Sequence, residues 1–498
     1  LLFASQINQW FACRIVSRKA VNTFANLVTN AWIGGAEQQS PASTFTVLHK
    51  FSGIELAKVG FTDQLLLEKA VESSVSAFDV CSRMSAGDRA GLLRRIRNSV
   101  EKERSFFEQL IVAESGKPIA FAMNELDRCL LTIEAGEREC MAFKGEMVPA
   151  DMGKGIGKFA FTQWFPSGPV LGFTPFNFPL NLALHKLVPA IAAGCSILLK
   201  PSPHSPLSLL QIARLISDAG APPGMVNVLC CNNDLANTLV RDERFSTFSF
   251  TGSALVGWAL RTASAARKVI LELGGNAPVI IDENADLIQA ARHCVLSAFA
   301  YAGQVCISSQ RIICHQTVSD VFLQLLIEET KKIKSGDPSD KEVINGPMID
   351  LQSIEHLKKR IKEALLKGAR LEEGGQTHED LPHVFEPTIL SNVPSDIALM
   401  QEEAFAPVLL FEVAQDFSHA LQLANSGKYG LQCGVFTQNL EHMKIAFKML
   451  KFGGIIINNT PNFRLDHMPY GGIRQSGIGR EGIRYAMEEM SESKLIVF

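Results

Sequence analysis

The sequence predicts an α/β protein with two largely parallel sheets and a small β arm. From Pro169 onward, short apolar runs at 170–173, 196–199, 226–230, 247–250 and 269–271 alternate with helical patterns. A second alternating region runs from Ala277 to about Gly454, with helices expected near 287–300, 320–334 and 354–367. Between 143 and 165, two strand-like runs are separated by Gly153, Gly155 and Gly157, a pattern that suggests a hairpin. Strands alternating with helices form mostly parallel sheets covered on both faces. Such sheets bind ligands at the carboxyl ends of their strands.

With 498 residues, 47% of them hydrophobic and 20% charged, the chain can bury more than one core. Its first stretch starts with Leu1, has no Asp or Glu before Glu37 and carries Arg14, Arg18 and Lys19. That is the composition of a transit peptide, and equally that of an extension translated upstream of the true start, so 1–28 is set outside the fold. From Asp63 to Glu114 apolar residues recur at helical spacing, as in Leu66, Ala70, Val71, Val75 and Phe78, then Leu92, Leu93, Ile96 and Val100. The longest apolar stretch, 178–199, is interrupted by His185, Lys186 and Pro189, which makes it a core helix and strand and not a membrane span. The residues 494–498 form a short apolar strand that would pair with the hairpin or with another subunit.

A net charge of −3 and no long stripe of Lys and Arg argue against a nucleic-acid partner. Eleven cysteines without a CxxC pair fit neither a disulfide framework nor a zinc module, so reduced thiols and no metal are expected. A metal-dependent alcohol dehydrogenase would need a Cys and His ligand cluster that the sequence does not offer.

The most informative segments are Glu272-Leu273-Gly274-Gly275-Asn276 and Gly303-Gln304-Val305-Cys306-Ile307-Ser308, in which Cys306 follows Glu272 by 34 positions. A cysteine thiolate is a strong nucleophile that forms a hydrolysable acyl intermediate. A carboxylate within reach can activate the water that hydrolyses it. In these motifs, their spacing and several others in order, the chain from about Asn30 to Phe498 resembles the aldehyde dehydrogenase superfamily. The resemblance implies a Rossmann-like cofactor domain (29–142 and 166–271), an α/β catalytic domain (272–462) and a small β oligomerisation arm (143–165 and 478–498). It further implies a homodimer or homotetramer in the cytoplasm, or in the mitochondrial matrix if 1–28 is a transit peptide. The implied reaction converts an aldehyde to a carboxylic acid with NAD or NADP, through a thioester on Cys306 that Glu272 helps to hydrolyse.

Further roles follow residue by residue. Asn177, in Thr174-Pro175-Phe176-Asn177-Phe178-Pro179, matches the family's oxyanion donor, with the Cys306 amide as second donor; alone it would read as a turn residue. Lys186 stands where the family has a lysine near the reacting centre, although a solvated helix-face lysine would look the same. On the cofactor side, Gly252 and Ser253 open a helix whose free amides suit a pyrophosphate. Thr174, Pro175, Phe176 and Ser202 would line the cofactor, and Lys200 would hold the adenosine ribose. Glu403 would hold the nicotinamide ribose with Phe405 beside the ring, in a motif with Ala406 where relatives have Gly. Where many NAD-preferring relatives carry Glu, this chain has Pro203 followed by His204, which removes a repulsive element against a 2′-phosphate and makes His204 a candidate contact for it.

The segment from Asn458 to Gly472 resembles the branch that includes lactaldehyde, phosphonoacetaldehyde and non-phosphorylating glyceraldehyde-3-phosphate dehydrogenases. Arg464 and His467 in it, and Arg128 in the early helix, are candidates for recognising an anionic or hydroxylated aldehyde, since guanidinium groups pair with carboxylate and phosphate. Each arginine would serve equally well in an internal salt bridge. Val305, beside the nucleophile, brings no charge. Two other readings remain at this point: a CoA-acylating semialdehyde dehydrogenase, and a non-catalytic scaffold on the same fold.

Overall fold

A computed structural model describes residues 24, 27–40 and 43–498. Five strands form the parallel centre of the first sheet, in the spatial order Lys268–Leu273, Thr247–Gly252, Val170–Phe173, Ile197–Lys200 and Val226–Val228. Most of their residues are buried, because helices cover both faces and no solvent face needs polar alternation. Antiparallel strands close both edges: Ala31–Ile33 pairs with Val226–Val228, and Gly477–Ile478 with Lys268–Leu273. The second sheet is parallel except for its edge strand Arg370–Glu373, and Ala277–Ile281 lies inside it between Ser309–His315 and Gln432–Phe436. A third sheet joins Met147–Val148, Ala160–Pro166 and Ser491–Val497, with Lys494 opposite Gln163. The terminal strand thus pairs with the hairpin of its own chain.

The early helical region resolves into Gln64–Cys81, Ala86–Lys102 and Arg104–Ser115. Asp63 caps the first through Leu66 N–H, and Ser85 and Asp88 form a reciprocal capping box on the second. The apolar stripe read from the sequence is rotated in the first helix. Its buried face is Leu67, Ala70, Val71, Ser74, Ala77 and Cys81, while Val75 is exposed. Ser74 takes the inward place because its hydroxyl is satisfied there: it donates to Ala70 O at 2.9 Å and accepts from Asn227 Nδ2 at 2.9 Å. The boundary after residue 28 also shifts. Phe24 and Val28 are buried, and Val28 exchanges two backbone hydrogen bonds with the Gln211 amide at 3.2 and 3.1 Å. Residues 1–23, 25 and 26, on which the transit-peptide expectation falls, lie outside the described residues.

The helix Asn181–Ala193 is buried along its whole length. Its amino terminus is held by Glu125, fully buried, whose Oε1 accepts from Leu180 and Asn181 N–H at 3.1 Å each. Among the described residues no helix is long and apolar enough to cross a membrane. The helix Ile119–Ala142 approaches Asn181–Ala193 so closely at Gly136 that a Cβ there would fall 2.2 Å from Val188 Cγ1 and 3.2 Å from Leu93 Cδ1. Overpacking of this kind costs about 1–3 kcal/mol. Gly136→Ala is therefore expected to lower the thermal unfolding midpoint, and an unchanged midpoint would show that these helices separate freely.

Candidate active site

Two cavities meet at Cys306. The larger, about 950 Å³, lies at the carboxyl ends of the parallel strands of the first sheet, where Phe173, Lys200, Gly252 and Leu273 reach it. The smaller, about 400 Å³, lies between the helix Ile119–Ala142 and the 459–463 segment. Leu182, Cys306, Arg464 and Tyr470 line both and form the partition between them.

Cys306 is carried on the loop between the helix Leu287–Phe299 and the strand Ser309–His315. Tyr301, Ala302 and Gly303 adopt successive left-handed angles, φ 53°, 54° and 64°. Gln304 then locks the loop: its amide donates to Tyr301 O and Pro347 O at 3.3 Å each and accepts from Ile349 N–H at 2.8 Å. Its carbonyl accepts from Asn177 Nδ2 at 2.9 Å. Asn177 is thereby fixed beside the Cys306 loop, and its second amide hydrogen remains for another acceptor. Burial pushes the Cys306 thiol up to about 12, opposed by a hydrogen bond with Tyr470 Oη at 3.2 Å.

Glu272 ends its strand facing the same cavity, 3% exposed, and neither carboxyl oxygen has a hydrogen-bond partner. Burial first, and then the neighbouring Glu481, raise it well above the ordinary carboxylate range. A Cβ on Gly471 would lie 2.7 Å from its Oε1, so that glycine leaves the carboxyl its space. Glu481 is also buried, but Lys186, His185 and Arg464 outweigh its desolvation and hold it ionised. The Lys186 ammonium is 3.6 Å from Glu481 and donates to Ser249 Oγ at 2.9 Å and Thr251 Oγ1 at 2.7 Å, and burial lowers its own affinity for the proton. Lys186 is thus a buried centre residue and not a solvated one.

All ten residues expected on the cofactor side line the larger cavity: Thr174, Pro175, Phe176, Lys200, Ser202, His204, Gly252, Ser253, Glu403 and Phe405. Ser253 precedes the helix Ala254–Ala263 without making a side-chain cap, so its hydroxyl is not consumed there. The Lys200 ammonium makes a single hydrogen bond, to Pro201 O at 3.4 Å. Glu403 accepts from Gly275 N–H at 3.2 Å and occupies the space a side chain at Gly274 would fill, with a Cβ there only 2.0 Å from its Oε2. Phe405 holds φ 50° and packs edge-on against Phe176 at 5.7 Å. His204 is partly exposed and lies 3.9 Å from Asp350.

The three substrate candidates fare differently. Arg128 and Arg464 line the smaller cavity, but both are also held by internal carboxylates. Arg128 binds both oxygens of Asp466, at 3.0 and 2.7 Å, and Arg464 donates to Glu481 Oε2 at 3.0 Å. His467 is exposed and lines neither cavity, because the turn puts Asp466 inward and the next side chain outward. Sequence reasoning missed Tyr470, Glu481, His185 and Asp466. The last two are joined at 2.8 Å. A buried acid is not recognisable in sequence, but Tyr470 stood inside the quoted segment and Glu481 lies a few residues beyond it.

The aldehyde dehydrogenase family profile matches residues 36–496. The chain belongs to the aldehyde dehydrogenase family. It is similar to a 3-sulfolactaldehyde dehydrogenase of Priestia aryabhattai, 36% identical over 93% of this chain and 96% of the relative. A lactaldehyde dehydrogenase of Methanococcus vannielii is 36% identical over 91% and 96% of the two chains. Among solved structures, aldehyde dehydrogenase 21 from Physcomitrella patens in complex with the reaction product succinate superposes with a TM-score of 0.91 at 33% identity, covering 94% of this chain and 98% of that one. The glyceraldehyde-3-phosphate dehydrogenase of Methanocaldococcus jannaschii, complexed with NADP, gives 0.88 at 32% identity, with 92% and 99% covered. This aldehyde dehydrogenase therefore has the α/β family fold and falls near the branch its carboxyl-terminal segment resembles.

The buried carboxyls make a pH signature. Burial pushes Glu403 from 4.5 up to about 8, so the folded, cofactor-free protein keeps a proton that the unfolded chain sheds. Stability from this group is lost as pH rises from the unfolded value through the folded one. Glu403→Gln is neutral in both states. Its stability relative to the parent should rise between about pH 4.5 and about pH 8 and then level off, read as thermal midpoints against pH; a difference constant with pH would refute the shift.

Proposed function

We propose that this aldehyde dehydrogenase oxidises a small hydroxylated or anionic aldehyde to its acid with NAD or NADP, using Cys306 as nucleophile. The observation that carries the reading is the place of Cys306, on the partition shared by both cavities, with Glu272 lining the larger one.

The larger cavity fits a dinucleotide in size and in donor chemistry. The open amino terminus of Ala254–Ala263 with Gly252 and Ser253 would take the pyrophosphate, Lys200 and Ser202 the adenosine ribose, and Glu403 the nicotinamide ribose. Thr174, Pro175, Phe176 and Phe405 would wall it. Among the described residues, carboxylates line this cavity as Glu272, Glu403 and Glu481, none of them beside Lys200 in sequence, and His204 stands at that end, which supports tolerance of a 2′-phosphate. When bound, the cofactor supplies the nicotinamide carbon that takes hydride from the substrate.

The protein's own residues do the rest. The Cys306 thiol first gives its proton to solvent water; Sγ then bonds to the carbonyl carbon as the C=O π bond opens to an oxyanion, and the Asn177 amide and the Cys306 N–H are the donors for that charge. After oxidation, Glu272 accepts a proton from water, which adds to the thioester carbon and expels the sulfur with its electron pair. Lys186 holds Glu481 in its ionised form, and that negative charge keeps Glu272 a strong base. In the smaller cavity Arg128 spends only Nε and Nη2 on Asp466. The unused donors suit a hydroxyl, carboxylate or sulfonate near the aldehyde carbon.

Ten described cysteines are free thiols, in keeping with a reducing compartment such as the cytoplasm. The edge strand Ser491–Val497 exposes Leu495, Ile496 and Val497, an apolar edge that a homodimer or homotetramer would cover.

The test is cofactor reduction followed by absorbance, with NAD and NADP separately, against neutral, hydroxylated, carboxylated and phosphorylated aldehydes. Turnover concentrated on hydroxylated or anionic aldehydes is expected; preference for plain ones would reduce Arg128 and Arg464 to structure, and turnover only with added CoA would replace hydrolysis by acyl transfer. Cys306→Ala should abolish oxidation while cofactor binding persists. Glu272→Gln should release about one equivalent of reduced cofactor in a burst and then turn over about 10²–10⁴-fold more slowly; steady turnover without a burst would remove Glu272 from deacylation.

A further inference from the structure

Packing explains the ring of Tyr470 but not its hydroxyl. The ring lies beneath the Arg464 guanidinium, 3.7 Å from Cζ to the centroid, and a phenylalanine would fill that space equally well. A hydroxyl in so buried a place costs free energy unless it is hydrogen-bonded. Tyr470 is 5% exposed, and the partner its Oη finds is Cys306 Sγ at 3.2 Å. The phenol is also held from behind. Tyr470 and Glu481 exchange both backbone hydrogen bonds, at 3.0 and 2.6 Å, and the Glu481 carboxylate grips the same Arg464 that covers the ring. Backbone, ring and hydroxyl are fixed by a closed circuit of three residues, aimed at the sulfur.

We propose that Tyr470 is the hydrogen-bond donor that stabilises and aims the Cys306 thiolate, an inference that rests on Cys306 being the nucleophile. The direction of the bond follows from the chemistry. Either group can donate while the sulfur is a thiol, but a thiolate can only accept, and burial, then the adjacent Cys306, raise the phenol well above its ordinary value, so Oη–H is the hydrogen-bond donor to the thiolate. The other charged groups facing the thiol are divided: Glu403 and Glu272 oppose its ionisation and Arg464 favours it, while Lys186 and Glu481 act on Glu272 behind them. Tyr470 is the contact that works directly on Sγ. Its bond is strongest to a thiolate and weakens once the sulfur shares its electrons with carbon. It therefore operates twice, on the free thiolate before the S–C bond forms, and on the departing thiolate as water's oxygen bonds to the acyl carbon and the C–S bond breaks. No proton leaves Oη in either step.

Tyr470→Phe keeps the ring under Arg464 and removes only the donor. The experiment is the rate of Cys306 alkylation by iodoacetamide in the cofactor-free protein across pH, read by mass spectrometry of the Cys306 peptide, for parent and variant. A hydrogen bond to a charged group is worth about 1.5–3 kcal/mol, so the profile should move up by about one to two pH units, with about 10–100-fold slower alkylation at neutral pH. kcat should fall while the thermal midpoint and cofactor affinity stay with the parent. A variant profile that superimposes on the parent's overturns the assignment. If the parent's Cys306 reacts no faster than its buried thiols, the nucleophile assignment itself falls, and this one with it.

Discussion

Tyr301 and Ala302 hold left-handed backbone angles just before Cys306, a conformation that costs about 1–2 kcal/mol for each residue carrying a Cβ. Gln304 offsets that cost by tying the loop to Tyr301, Pro347, Ile349 and Asn177 at once, with no exposure of its own side chain to water. Tyr301 contributes a further tie through its hydroxyl to Ser115 O at 3.0 Å. Gly303 is needed between them because it combines a positive φ with an approach to Ala406 O that a Cβ would block. The position of Cys306 between two cavities follows from this anchored loop.

Around that point the molecule concentrates buried charge. Lys186, Arg464 and Arg128 are balanced by Glu481 and Asp466, with Glu272 left without a hydrogen bond. Buried ion pairs of this kind add little net stability, since desolvation cancels much of their attraction. Here they set protonation. Asp466 is kept ionised by His185 and Arg128 against its burial, and Glu481 by Lys186, His185 and Arg464, which leaves Glu272 as the carboxyl that takes up a proton. Carboxyls perturbed in opposite directions, a short distance apart in a cleft, are a mark of a functional site.

The strands were legible because parallel strands buried on both faces appear as apolar runs, and those at 170–173 and 247–250 match the observed Val170–Phe173 and the first four residues of Thr247–Gly252. The helical stripe near Val75 was not, since Ser74 enters the core through hydrogen bonds with Asn227 and Ala70 that no periodicity of apolar residues can register. Cys306, Glu272 and Glu403 were singled out from local motifs, and all three line the larger cavity. Arg128 and Arg464 were visible as cations, yet their carboxylate partners come from elsewhere in the chain or the far side of a turn, and pairing is a tertiary fact. His467 shows the converse: a residue attractive by neighbourhood in sequence, turned to solvent by the backbone.

The pairing of Arg128 with Asp466 joins positions 338 apart in the chain. Neither residue belongs to the loop that presents Cys306 or to the strand that carries Glu272, so this part of the smaller cavity's wall is separate from both, while the 300–307 loop supplies another part. Descendants of such a chain can inherit the chemistry intact while exchanging what the wall accepts. The exchange is not free, because losing one partner strands a largely buried charge. Diversification at this wall should therefore proceed by paired substitutions, leaving its historical trace as covariation between two distant stretches of sequence while the nucleophile's own neighbourhood stays still.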